Sequence, residues 1–297
     1  MSRNKSLEKS RVPGAAGLWR GALRFPANPA APGFLTVILM LTAVPAPAAT
    51  VKDFPACTRL AEQAPAEALT AAQAWLDQGG GDAARLCRAE ALFLHGDFAP
   101  AGQAFEALAA GTDLTAAQAA NLYDRAGLSW LRAGDAARAE RLMSSALERL
   151  PGDTDLLIDR ALARAEGKRY REAIEDLSAV LKRTPRRPDI YLYRAEAWQA
   201  LDQLDQALAD TEHVLTLKPG DGGALVLRGT LHALSGDATG ARLDWREVIR
   251  REPDSVNGKA AARRLAQLDR APAAAAGHPD DPKDDRKQDK GAGAAPR

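Results

Sequence analysis

At 297 residues the chain is long enough for one elongated domain or two compact ones, and its low aromatic content (5%) comes with abundant alanine. No alternating apolar–polar run extends beyond a few residues, which argues against an extensive β-sheet and predicts an all-helical protein. Residues 1–48 hold six of the 40 basic residues and one of the 39 acids; the remaining 34 basic and 38 acidic residues carry a net of −4, no electrostatic footprint for nucleic acid.

The first segment reads as an address. Arg3, Lys5, Lys9, Arg11, Arg20 and Arg24 precede an apolar run from Phe34 to Val44, and Ala46, Pro47 and Ala48 follow as a small-x-small cleavage site. This is the layout of a secretory signal peptide over residues 1–48. A membrane-spanning helix needs about 20 apolar residues, and Pro45 and Pro47 stop this one early. The expected location is the periplasm or the exterior, with an uncleaved N-terminal helical anchor as the alternative. The basic region is long, and a start codon downstream of Met1 would account for that.

Residues 50–81 follow as an N-terminal helical cap or degenerate repeat. Two short helices are expected within 54–78, broken at Pro65 and closed by three glycines at 79–81. Then a period sets in. Pro151, Pro185, Pro219 and Pro253 stand 34 residues apart. With proline at position 32, units span 120–153, 154–187, 188–221 and 222–255. A further unit, 82–115, is displaced by a four-residue insertion and has Asp113 in place of the proline.

Small residues occupy position 8 (Ala89, Gly127, Ala161, Ala195, Gly229) and position 20 (Ala101, Ala139, Ala173, Ala207, Ala241) of every unit. Large ones recur at position 4 (Tyr123, Leu157, Tyr191, Leu225) and position 24 (Phe105, Met143, Leu177, Trp245), a slot that Thr211 breaks. Two antiparallel helices of about 14 residues fit such a unit. Where they cross, only Gly or Ala allows the close approach. Gly96, Gly134 and Gly236 mark the turn inside a unit, and proline ends its second helix. Residues 256–270 are expected to form a capping helix. The tail, 271–297, has no apolar residue larger than Ala apart from proline and is expected to be disordered. His278 in that tail does not by itself make a metal site.

Period, small residues and proline together resemble the tetratricopeptide repeat (TPR) family over residues 82–255. The resemblance implies an all-α, right-handed superhelical solenoid of antiparallel helix pairs. The family's glycine at position 15 is replaced by Lys168 and Asp202, so those two turns are expected to differ slightly. Cys57 and Cys87 fall on equivalent helices of successive units, which lie side by side in a solenoid. In an exported chain this favours a disulfide over two buried thiols. Arg160, Arg194 and Arg228 at position 7 recur with Asp176, Asp210 and Asp244 at position 23, and an ion pair is expected in each of the last three units.

The resemblance further implies a concave groove lined by first helices, which takes a peptide or helix of a partner. Its expected residues are Asn121, Asp124, Leu128, Arg132, Asp155, Ile158, Asp159, Leu162, Glu166, Asp189, Leu192, Tyr193, Glu196 and Val226. They are acidic with apolar patches, so a basic or amphipathic partner segment is expected. Position 5 lacks the Lys and Asn of the chaperone-binding subclass, and no carboxylate clamp is expected. No catalytic motif, cofactor fingerprint or metal-ligand spacing occurs. His232 stands in the slot of Trp130 and Trp198, where packing is its expected role. The reading is a non-catalytic protein-interaction scaffold or adaptor in the periplasm. The alternative is a client-presenting helper in maturation of an exported enzyme or cytochrome. No membrane span is expected after signal cleavage.

Overall fold

A computed structural model describes residues 51–270; the expected signal peptide and tail lie outside them. The described residues form thirteen helices. The N-terminal cap is α1 (Phe54–Gln63) and α2 (Pro65–Asp77). Five helix pairs follow: α3 (Gly81–His95) with α4 (Phe98–Ala109), α5 (Ala116–Arg132) with α6 (Ala136–Arg149), α7 (Thr154–Glu166) with α8 (Tyr170–Arg183), α9 (Pro188–Ala200) with α10 (Leu204–Leu217), and α11 (Gly222–Leu234) with α12 (Ala238–Arg251). The last helix, α13 (Val256–Arg270), packs on α12 and α11. None is long and apolar enough to cross a membrane.

The proline joints work through the preceding residue. Proline pushes its predecessor out of the helical region. Leu150, Thr184, Lys218 and Glu252 accordingly have φ of −128°, −131°, −136° and −143°. Where Asp113 replaces proline, the helix ends earlier, α4 closing on Ala110 at φ −77°. The chain then restarts early: Thr115 accepts from the Gln118 N–H at 3.2 Å, and Gln118 returns a bond to the Thr115 backbone. This capping box satisfies orphan N–H groups. The four-residue insertion is therefore an added first turn of α5.

Inside each unit the turns are alike. Position 15 is left-handed at Gly96, Gly134 and Gly236, and also at Lys168 (φ 61°) and Asp202 (φ 59°). In all five, the N–H of position 16 donates to the carbonyl of position 11, as Asp135 does to Trp130 and Arg169 to Arg164. The expectation that the Lys168 and Asp202 turns differ is corrected. The 34-residue period dictates the helix-end geometry, and side chains that disfavour it adopt it regardless.

The core forms where helices cross. All five position-20 alanines are fully buried, and Phe105, Met143 and Leu177 fill the space beside them. Small and large residues are matched across the crossing. A Cβ on Gly229 would stand 2.6 Å from the Trp245 ring nitrogen, so that indole requires glycine opposite it. Residue Thr211, the exception at position 24, is fully buried and donates to the Leu208 carbonyl at 2.8 Å.

Two pairs of successive first helices touch, α5 with α7 and α9 with α11, while no two successive second helices pack comparably. The stack therefore closes toward its first helices, and the concave side belongs to α5, α7, α9 and α11.

Candidate functional site: an acidic concave groove

Position 5 points between neighbouring first helices. Ile158 and Val226 there are 9% and 5% exposed and belong to the core, so both are corrected from groove-lining to structural residues. Branched apolar side chains do well in that crevice, which leaves Leu192 of the same position half-buried. Asp124 occupies the same slot on α5. Its Oδ1 is buried and accepts no hydrogen bond. Burial first, and then the facing Asp159, hold its carboxyl well above the usual range.

Position 9 repeats the pattern. Leu128 and Leu162 are half-buried there, and Glu196 takes the slot on α9. Its Oε2 is likewise buried without a donor, and burial pushes its carboxyl up to about 7. Tyr193, one turn earlier, is pushed up to about 12 by burial and then by Asp189 and Glu196. Asp155 and Glu166 are exposed, and Asn121 is exposed at the start of the groove.

Two of the nearby cations, Arg187 and Arg125, are paired within the chain. Arg187 forks onto Asp189 at 2.6 and 2.9 Å. Burial pushes the Asp189 carboxyl up, and hydrogen bonds from Arg187 and the backbone outweigh it, leaving it below its ordinary value. Arg125 pairs with the buried Glu90 of α3 and lies over the Phe105 ring. Arg132 lies 5.9 Å from the Phe98 ring centre. The middle of the groove is thus an acidic string across α5, α7 and α9 with leucines beside it.

The position-7 arginines lie between the helices of each unit, away from this string. Arg160 meets Asp176 at 2.7 and 2.9 Å, Arg194 meets Asp210 at 2.7 and 2.8 Å, and Arg228 meets Asp244 at 2.6 and 2.9 Å. Arg160 and Arg194 also reach Ser144 and Ser178 of the preceding unit. His232 does not pack as Trp130 does. It stands 3.2 Å from the Asp237 carboxylate beside an exposed turn. Cys57 and Cys87 form a disulfide with Cα atoms 5.8 Å apart. Among the described residues no group of three His, Cys, Asp or Glu side chains is placed to hold a metal ion.

Sequence reasoning missed two ties between units: Glu90 with Arg125, and Glu106 with Arg138 and Trp130. It also missed the Arg164 bridge from Glu140 to Asp176. Each occurs once, so no period reveals it.

Solved structures share this architecture, two of them as follows. The C-terminal part of a TPR repeat-containing protein from Cytophaga hutchinsonii matches with a TM-score of 0.55 at 15% identity, over 73% of this chain and 95% of its own. The chain has the tetratricopeptide-repeat fold. Residues 41 to the end of MamA from Desulfovibrio magneticus RS-1 match with a TM-score of 0.51 at 18% identity, over 56% of this chain and 93% of their own. No family model matches the chain, and no curated protein does. In this TPR solenoid the groove runs over the middle three first helices, where Asp124, Asp155, Asp159, Asp189 and Glu196 stand.

Proposed function

We propose that this protein is a non-catalytic interaction scaffold of the periplasm whose concave groove holds a basic or amphipathic segment of a partner protein. The observation that carries the reading is the acidic string on α5, α7 and α9, flanked by half-buried Leu128, Leu162 and Leu192. Such a surface offers leucine contacts to an apolar face and carboxylates to basic residues. The Cys57–Cys87 bond supports an oxidising compartment.

A photo-crosslinking side chain at Leu192 in the groove should capture a partner in living cells. The same group at exposed Glu148, on the second-helix side, should not. Equal capture at both positions, or none at Leu192, would defeat the groove reading. Sequencing the mature N-terminus should find Ala49; a mature chain that still begins at Met1 would remove the cleaved-signal proposal.

A further inference from the structure

Two carboxylates occupy slots that most other units give to uncharged residues. Asp124 stands where Leu86, Ile158, Leu192 and Val226 stand, and Glu196 where Leu128, Leu162 and Thr230 stand; the first unit also has an acid in the second slot, Glu90, and there it is paired with Arg125. Packing therefore accepts an apolar side chain in both slots. Asp124 and Glu196 nevertheless each leave a buried oxygen without a donor. An unsatisfied buried acceptor costs about 1–3 kcal/mol, and more when charged. A solenoid with nothing to bind would be better off without either.

The surroundings say what is missing. Asp124 is faced by Asp153, Asp155 and Asp159 of the α7 side and by Arg125 of its own helix. Asp153 is engaged with the α7 N-terminus, accepting from Asp155 and Leu156 N–H groups. Arg125 is paired with Glu90, and Arg187, the cation beside Tyr193, with Asp189. Among the described residues, neither orphan oxygen meets a cation at hydrogen-bond distance. Leu128 and Leu162 are half-buried on α5 and α7, and an aliphatic stem can lie along such side chains while its charged head reaches a carboxylate.

We propose that Asp124 and Glu196 are two anchor sites, each receiving one arginine side chain from a basic segment of a partner protein laid across α5, α7 and α9. The inference rests on the groove reading above and adds the residues and the ligand chemistry. Guanidinium fits better than ammonium because its planar fork presents two donors to one carboxylate.

The test uses the full chain and an end-capped, fluorescein-labelled nona-arginine peptide. Its citrulline counterpart keeps the shape and removes the charge. Anisotropy is read at about 0.15 M salt, where distant surface charges are screened. The arginine peptide should bind and the citrulline peptide should be weaker by about tenfold or more. Asp124→Asn and Glu196→Gln should each weaken arginine-peptide binding by about tenfold, as loss of a desolvated charge pair does. Glu148→Gln, an exposed acid outside the groove, should leave it unchanged. Neither groove substitution removes a hydrogen bond from these two oxygens, and matching thermal melts of the variants verify that they fold.

No binding of the arginine peptide would overturn the anchors. So would equal binding of citrulline, or equal weakening by Glu148→Gln, which would indicate only a diffuse negative field. Crosslinking at Leu192 separates the two levels. A partner captured there by wild type and by both variants alike leaves the groove reading standing and removes the anchors. No capture there removes the reading itself.

Discussion

Lys168 and Asp202 hold left-handed backbone that glycine holds at the three equivalent turns. The Cβ clash costs an L-residue about 1–2 kcal/mol there, less for Asp, and glycine's extra freedom in the unfolded chain returns part of the gain. Lys168→Gly should therefore raise stability by about 0.5–1 kcal/mol and Asp202→Gly by less, read as shifts in urea midpoint. Unchanged or lowered midpoints in both would mean that these turns are not strained. Glu196 makes a different prediction. Its carboxyl lies at about 7 when folded, against an ordinary 4.5. Below 4.5 both states are protonated and burial carries no ionisation penalty. Between 4.5 and 7 the unfolded chain releases its proton first, so stability falls as pH rises, and above 7 the loss is complete. Glu196→Gln should thus stabilise little at pH 4 and most at pH 8, by at most about 3 kcal/mol. A gain that is the same at both pH values would show that Glu196 titrates normally.

At the scale of helices, the three Arg–Asp pairs tie the first helix of a unit to its second. Asp176, Asp210 and Asp244 are only 4, 5 and 6% exposed. A buried pair contributes modestly overall, because desolvation offsets attraction, but removing one partner strands the other. Asp210→Ala should therefore cost about 3 kcal/mol, and the double replacement of Arg194 and Asp210 by leucine considerably less. Comparable losses from the single and double changes would show that the pair, not the stranded charge, matters. The repeat made these pairs legible, because the same two residue types return at the same two positions. Glu90–Arg125 and Glu106–Arg138 carry no such signal. The early start of α5 was also hidden, since a four-residue insertion reads equally well as a loop or as an added helical turn.

For the molecule as a whole, stability in a stack of helix pairs comes mostly from neighbours. The Cys57–Cys87 bond joins α1 to α3 at the N-terminal end and closes a loop with a sequence separation of 30. Constraining a loop of that order stabilises by about 3 kcal/mol. Reduction should expose α1 and α2 to hydrogen exchange first and leave α9 to α12 protected. Uniform loss of protection along the chain would show one cooperative unit instead of a graded stack.

The amino-acid sequence by itself determined the number of helix pairs, their register and the Arg–Asp pairings. A 34-residue period repeats each local choice until chance is excluded. It also brought Asp124 and Glu196 into one groove. Only the tertiary structure decided that Ile158 and Val226 turn inward, and that Asp124 and Glu196 keep oxygens with no donor. Burial and partnership depend on what the neighbouring helix presents, and a position number does not record that.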